Sequence, residues 1–182
     1  MSDKYIKTQP ISGHGIHLIP LNEEYLEVLR NWRNSDFVKG FLFSQKEITK
    51  EEQINWFHSL EKNDKYYFII KDDEGYYGAC NLNFKYDSNG LAAAEGGIFA
   101  GNETKLNSLT PIKAIFLLYD WGFESKELDH VDAHIKSDNK RALRFNKGVG
   151  FKVINESDDV VSARLTSKDF YLCYERYKKL LG

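Results

Sequence analysis

Residues 130–151 read HVDAHIKSDNKRALRFNKGVGF, and they combine the pattern of a strand with that of a short helix. From His130 to Ile135, apolar residues alternate with polar ones, which is typical of a strand that buries one face. Asp138 is suited to cap a helix over residues 139–147, and Gly148 is suited to end it. We therefore expect a strand and a helix in immediate succession here, with a further strand following.

Upstream of this stretch, the spacing of apolar residues and the turn signals predict seven further elements. These are a strand at 15–19, two helices that begin near Asn22 and at Thr49, strands at 66–71, 76–84 and 92–100, and a helix over 112–123. The turn residues at 72–75 and 86–90 favour hairpins, so the three strands form an antiparallel meander. Thr49 begins a capping box, and Thr110 is suited to cap the next helix with Pro111 in its first turn.

Downstream, the pattern predicts a strand at 151–154 or 160–165 and a last strand at 170–177. The order is then β-α-α-β-β-β-α-β-α-β-β. A helix joins the fourth and fifth strands, so these two should be parallel in a sheet that is otherwise mostly antiparallel. We predict an α+β fold with a mixed central sheet flanked by helices. No repeat or linker divides residues 1–182, which indicates a single domain.

The composition excludes several functional classes. The 182 residues carry 25 Lys and Arg against 27 Asp and Glu, a formal charge of −2, which gives no basic surplus for nucleic acid. The two cysteines, Cys80 and Cys173, are too few for a disulfide framework or a thiolate metal site. Residues 1–7 lack the apolar core of a signal peptide, and no run is long enough to span a bilayer. We expect a cytoplasmic protein without membrane or nucleic-acid partners.

A block from Asn139 through Ala142 and Phe145 to Gly150 and Phe151 resembles the last conserved block of the GCN5-related N-acetyltransferases. Together with the element order, the resemblance covers nearly the whole chain. In the N-terminal half, residues 32–34 (Trp-Arg-Asn), Gln53 and residues 56–57 (Trp-Phe) resemble the branch that contains ribosomal-protein N-terminal acetylases and bacterial amino-sugar acetyltransferases. The resemblance implies acetyl-CoA, or another short acyl-CoA, as co-substrate.

The resemblance also implies where acyl-CoA binds. The backbone of one strand pairs with the pantetheine amides, and the loop before the next helix binds the pyrophosphate. The corresponding residues here are Gly97, Ile98, Phe99 and Ala100 on the strand, Lys105, Ser108, Thr110, Ile112 and Lys113 near the loop, and Asn139 on the following helix. The loop lacks the glycines of the family motif. Free N–H groups at a helix N-terminus still attract phosphate, so we expect the site to be retained.

Two residues correspond to the catalytic positions of the family. Glu95 lies in a small, apolar stretch of its strand, and the resemblance implies that it acts as the base through water. Its alternative interpretation is an exposed carboxylate at a strand edge. Asn146 stands where the family often has a tyrosine that protonates the departing thiolate, so this chain lacks that acid and Asn146 would contact the CoA arm.

Alternating His130, Asp132 and His134 share one strand face. They could be metal ligands, but any half-exposed strand shows this alternation, and no companion motif supports zinc. We expect no metal site.

The acceptor side of the family corresponds to Arg33, Asn34, Phe43, Gln53 and Trp56. An arginine with aromatic neighbours suits a nucleotide diphosphate, which favours the amino group of a nucleotide-linked amino sugar as acceptor. Core packing and a structural ion pair are the alternative roles of these residues. The alternative acceptors are a protein N-terminus and a small amine, and a catalytically silent CoA-binding or protein-binding domain is a third hypothesis. The oligomeric state stays open, with a homodimer as one option.

Overall fold

A computed structural model describes residues 8–101 and 103–181, so the expectation drawn from residues 1–7 lies outside the described part. The chain forms eight strands and six α-helices in this part. The strands are β1 (Ile11–Gly13), β2 (Ile16–Pro20), β3 (Lys65–Asp72), β4 (Gly75–Tyr86), β5 (Ala92–Ala100), β6 (His130–Lys136), β7 (Lys152–Glu156) and β8 (Val160–Thr166). The helices are α1 (Leu26–Asn34), α2 (Asp36–Lys39), α3 (Lys50–Ser59), α4 (Thr110–Lys126), α5 (Lys140–Val149) and α6 (Ser167–Leu181).

One sheet contains all eight strands, in the order β1-β2-β3-β4-β5-β6-β8-β7. Every neighbouring pair is antiparallel except β5 and β6, which are parallel. The predicted meander β3-β4-β5 and the parallel pair joined through a helix are therefore confirmed, as is the α+β class. β5 and β6 are parallel because α4 carries the chain back to the end of the sheet at which β5 begins.

The two faces of the sheet are covered by different helices because side chains alternate along each strand. On one face, α4 and α6 pack on a large apolar core that includes Phe68, Leu82 and Phe116. On the other face, α1 and α3 cover β2 to β4 with a smaller core that includes Leu29 and Phe57. Phe99 of β5 also packs against this smaller core, and alternation places Glu95 on the same face of the strand.

The C-terminal segment corrects one sequence prediction. Residues 170–177 are not a strand but part of α6, while 152–156 and 160–166, which were given as alternatives, are both strands. Phe170, Cys173, Tyr177 and Leu181 recur at helical spacing, and they pack on the apolar core that contains Phe116. The aromatic content of this segment favours a strand when viewed alone, but the spacing of its buried residues fits a helix.

The helix ends also differ in detail. Asn139, not Asp138, caps α5 by accepting a bond from the amide of Ala142, and Gly150 with φ 113° ends it instead of Gly148. Glycine is suited to that left-handed conformation. The capping box at Thr49 is confirmed. In the described residues, no helix is long and apolar enough to cross a membrane.

Candidate active site

The sheet splits between β5 and β6. The two strands pair only from Ala93 to Glu95 with His130 to Asp132. Beyond that point β5 continues to Ala100 on β4, while β6 continues to Lys136 on β8. The facing edges of β5 and β6 therefore separate and leave backbone N–H and C=O groups without a strand partner. The register of β5 on β4 is continuous, so the glycines of β5 do not produce a bulge there.

A cleft of about 490 Å³ fills this split. Its walls come from both separated strand edges, from the loop before α4, from α5 and from the segment that follows α1. The lining includes Phe37, Val38, Phe41, Leu42 and Phe43, Gly96 to Ala100, Leu106 to Ser108, Ile112, Tyr119, Ala133 to Lys136, and Asn139, Arg141, Ala142, Phe145 and Asn146. Four strand residues predicted to bind the cofactor, Gly97 to Ala100, thus lie together along one wall.

The loop before α4 is held by an acid that the sequence analysis did not single out. The ammonium of Lys105 donates to Asp72 Oδ1 at 2.7 Å, and the hydroxyl of Thr110 donates to Asp72 Oδ2 at 2.9 Å. Both side chains are therefore engaged away from the cleft, and the prediction that Lys105 offers its charge to a phosphate is not supported. Thr110 does not cap α4, whose N-cap is Leu109. Asp72 instead anchors the loop to the end of β3.

The remaining loop groups are divided. Ser108 and Ile112 line the cleft, and the Ser108 hydroxyl donates to the Lys105 carbonyl. The amide of Lys113 donates to the carbonyl of Leu109, so it is not free to bind a phosphate, contrary to the prediction. No acceptor in residues 8–101 or 103–181 takes the backbone N–H of Ile112. The N-terminal turn of α4 therefore keeps a free donor beside the cleft, despite the absence of loop glycines.

The anchor at Asp72 gives a testable effect on stability. Burial alone would raise the pKa of Asp72, but the hydrogen bonds from Lys105 and Thr110 outweigh it and lower the pKa. The stabilisation is therefore complete above the unfolded value of about 3.9 and is lost as the pH falls through the lower folded value. We expect Asp72→Asn to cost about 1–3 kcal/mol of unfolding free energy at pH 7 and much less at pH 3, measured by urea denaturation. Exposed Asp73, changed to Asn, is the control and should show no such difference.

On α5, both predicted asparagines face the cleft. Asn139 uses its side-chain oxygen as the helix cap. The Asn146 amide nitrogen donates to the carbonyl of Ala142 at 2.9 Å, so one of its two N–H groups remains. Arg141 also lines the cleft and donates to the carbonyl of Leu106, which joins α5 to the loop before α4. The sequence pattern does not single out Arg141, which is one of four basic residues in α5.

Glu95 lies at the point where the strands separate. It is half-buried and is the register partner of Asn83 on β4 and Asp132 on β6. Alternation places its side chain on the same face as Phe99, away from α4 and toward the α1 side of the sheet. The carboxylate thus lies next to the end of the paired region, but Glu95 is not part of the cleft lining, which begins on β5 at Gly96.

A surface beyond Glu95, here called the Arg33 wall, is formed by the side chains of Arg33, Trp56 and Tyr67. The guanidinium of Arg33 lies 6.0 Å from the Trp56 ring centroid, and that ring meets Tyr67 edge-on at 4.9 Å. Burial lowers the pKa of Arg33, an effect that Tyr67 opposes. Arg33 has no carboxylate partner in the described part of the chain. Tyr67 is the register partner of Asn81, and Asn81 is the register partner of Gly97, so one strand separates Tyr67 from the cleft edge of β5.

The other predicted acceptor residues have different roles. Gln53 is 2% exposed and lies one helical turn before Trp56. Neither its side-chain nitrogen nor its oxygen has a hydrogen-bond partner in the part of the chain that the structure describes. The Asn34 side chain exchanges two 2.8 Å bonds with the backbone of Ile48, so it fastens the loop between α2 and α3 and is not available to a ligand. Phe43 is 61% exposed and lines the cleft, not the Arg33 wall.

The row of polar residues on β6 does not form a metal site. Among the described residues there is no cluster of His, Cys, Asp and Glu suited to a metal ion. Asp132 accepts two bonds from Arg164, at 2.8 and 3.1 Å, and lies 3.4 Å from Lys85. His134 is bonded to Ser162 across the strand pair. Asp132 is therefore engaged in ion pairs and His134 in a separate bond, while His130 bonds Asp129 through Nδ1 and its buried Nε2 has no hydrogen-bond partner among the described residues.

Comparison with known proteins agrees with this geometry. A model of the acetyltransferase (GNAT) domain matches residues 16–152, from β2 to the start of β7, and so includes both edges of the split. The chain belongs to this family. As a GNAT protein it is an acyl-CoA-dependent N-acetyltransferase, and acyl-CoA is its co-substrate.

Three GNAT relatives define the similarity. The acetyltransferase PseH of Campylobacter jejuni (serotype O:2) is 23% identical over 145 residues, 76% of this chain and 84% of PseH. The C. jejuni PseH complex with acetyl coenzyme A matches at a TM-score of 0.63 with 21% identity, covering 84% and 99% of the two chains. Apo FdhC, a nucleotide-linked sugar GNAT, matches at 0.80 with 20% identity, covering 95% and 98%. The ribosomal-protein-S5-alanine acetyltransferase of Vibrio fischeri matches at 0.73 with 14% identity, covering 88% and 98%. These likenesses show a shared fold.

Proposed function

We propose that this enzyme transfers an acetyl or other short acyl group from acyl-CoA to the amino group of a nucleotide-linked amino sugar. The observation that carries the acceptor is the half-buried Arg33 guanidinium, which lies beside Trp56 without an anionic partner in the described chain. A buried cation is costly unless it is paired, so the site is suited to an anion. A diphosphate supplies that charge in bidentate form, and a nucleobase can stack on an exposed ring face.

Acyl-CoA lies in the split, in this proposal, with its pyrophosphate at the open end. The open end is set by the topology, because the loop before α4 follows directly from the C-terminal end of β5. The free amide of Ile112 at the α4 N-terminus and the guanidinium of Arg141 bind the phosphates, and the edge of β5 from Gly97 to Ala100 pairs with the pantetheine amides. The thioester then lies near Gly97, at the closed end of the split, where β5 and β6 cease to pair at Glu95 and Asp132.

Transfer is direct in a ternary complex. The acceptor amine approaches from the Arg33 wall, and Glu95 accepts the ammonium proton through a water molecule. Glu95 passes that proton to solvent. The neutral amine then attacks the thioester carbonyl, and the C–S bond breaks with its electron pair on sulfur. The nitrogen loses its second proton through the same water as the amide forms. Holding both substrates on either side of Gly97 supplies the orientation that such a reaction needs.

Calorimetry tests the cofactor part of the proposal. We expect acetyl-CoA to bind with micromolar affinity to the folded enzyme, and Arg141→Ala to weaken binding by about tenfold because a charge-assisted phosphate contact is lost. The control is Arg176→Ala, an exposed arginine on α6 outside the cleft. Absence of binding at millimolar acetyl-CoA would contradict the placement in the split.

A protein N-terminus or small amine is the second candidate acceptor. The fold is shared with the S5-alanine acetyltransferase, which is named for a protein substrate. The near-neutral charge of the chain argues against very basic peptide tails, because their capture gains from an acidic field. A silent binding domain is disfavoured by the retained carboxylate at Glu95 beside an open cleft.

A further inference from the structure

The floor of the cleft contains a tyrosine hydroxyl without a hydrogen-bond partner in the described residues. Tyr119, in the middle of α4, is 2% exposed and lines the cleft. No residue in 8–101 or 103–181 forms a hydrogen bond with its hydroxyl. The hydroxyl oxygen is not fully enclosed, because it keeps some solvent-accessible area. Its small accessible area therefore opens into the cleft.

Backbone geometry fixes the position of this hydroxyl. A methyl group placed on Gly96 would lie 2.7 Å from the Tyr119 oxygen, so the phenol rests directly on the β5 backbone. Gly96 is the first residue of β5 beyond the last pair with β6. Tyr119 is nine residues into α4, about 13 Å along the helix at 1.5 Å per residue. Gly96 is four residues from the end of β5, also about 13 Å, so both belong to the closed end of the split.

The closed end is where the thioester lies if the phosphates occupy the loop before α4, so this inference rests on the acyl-CoA placement proposed above. A buried hydroxyl without a partner is unfavourable, and an acceptor atom on a bound ligand would satisfy it. Two atoms of the reacting group at that end gain negative charge: the carbonyl oxygen as the amine adds, and the sulfur as the C–S bond breaks. Only the sulfur keeps that charge when the product leaves.

We propose that the Tyr119 hydroxyl donates a hydrogen bond to the CoA sulfur as the C–S bond breaks. The electron pair of that bond stays on sulfur. The proton that the nitrogen loses as the amide forms goes through water to Glu95, which has already released the ammonium proton to solvent. The thiolate leaves as an anion held by the phenol and takes its proton from solvent after release. Tyr119 thus acts as a donor that stabilises charge and keeps its own proton.

The surroundings of Tyr119 favour this role. Burial raises the pKa of Tyr119, and Cys80 adds to this to a smaller extent, so the phenol stays protonated at neutral pH. Burial likewise raises the pKa of the Cys80 thiol, which therefore stays uncharged. Of the other cleft-lining donors, Asn146 already spends one N–H on Ala142. Tyr77 belongs to the open end, where its carbonyl accepts from Gly101.

Tyr119→Phe tests the proposal by removing only the hydroxyl. We expect kcat to fall at least tenfold with the KM for acetyl-CoA within about twofold. The pKa of the CoA thiol in the binary complex, followed by the ultraviolet absorbance of the thiolate, should rise by about 1 unit relative to the wild-type complex. Tyr66→Phe removes a buried phenol that is not part of the cleft lining, and it should leave this thiol pKa unchanged.

Each outcome decides the question. A lower kcat with an unchanged thiol pKa would assign the hydroxyl to the carbonyl oxygen or to packing and overturn the proposal. If Tyr119→Phe does not fold, the wild-type complex still tests it, because a bound thiol with a pKa no lower than that of free CoA also overturns it. Absence of CoA binding would overturn the cofactor placement as well. If CoA binds but the pKa of its thiol is the same in the wild-type enzyme and in Tyr119→Phe, only the role of Tyr119 is overturned.

Discussion

Glu95→Gln should lower kcat by about 10² or more at neutral pH, because the amide cannot accept the proton of the acceptor ammonium. The variant keeps the size of the side chain and its place beside Asn83 and Asp132. Acetyl-CoA affinity should therefore change by less than about twofold, since the cofactor is held by backbone and phosphate contacts. Steady-state kinetics and calorimetry on the same preparation separate the two effects.

The matched control is Glu61→Gln, an exposed carboxylate in the turn after α3. It should retain wild-type turnover. If Glu95→Gln also retained it, the base would have to be sought elsewhere and the role of Glu95 would be wrong. If Glu95→Gln lost acetyl-CoA binding, the carboxylate would be structural.

Arg33→Met should raise the KM for a nucleotide-linked amino sugar by about 10- to 100-fold, the effect of losing a bidentate contact to a charged group. Methionine keeps an extended apolar side chain beside Trp56 and removes only the charge. Free UDP or dTDP should raise the melting temperature of the wild-type enzyme, because a ligand that binds the folded state stabilises it. This shift should disappear in the variant, while acetyl-CoA affinity stays the same.

Arg30 provides the control on the same helix, since its guanidinium is already paired with Glu27 at 2.7 Å. Arg30→Met should keep the nucleotide-dependent shift. If neither nucleotide shifts the melting temperature of the wild-type enzyme while a peptide or small amine is acetylated, the sugar acceptor is wrong and the second candidate replaces it.

Local signals in the sequence predicted much of the fold. Turn residues at 72–75 and 86–90 and the helix between β5 and β6 were sufficient for the meander and for the parallel pair. The helix at 167–181 was missed because its aromatic residues favour a strand locally, although their spacing is helical. β1 was missed because three residues carry too little pattern to be detected.

The sequence by itself determined which chemistry the chain carries: a carboxylate in a small, apolar strand, an arginine among aromatic residues and the elements that flank a parallel pair. Only the tertiary structure decided which side chains are free to act. Asp72, distant in sequence, engages Lys105 and Thr110. The Tyr119 hydroxyl, by contrast, lines the cleft and has no hydrogen-bond partner among residues 8–101 and 103–181. The physical reason is that availability depends on contacts between distant segments, which local spacing does not encode.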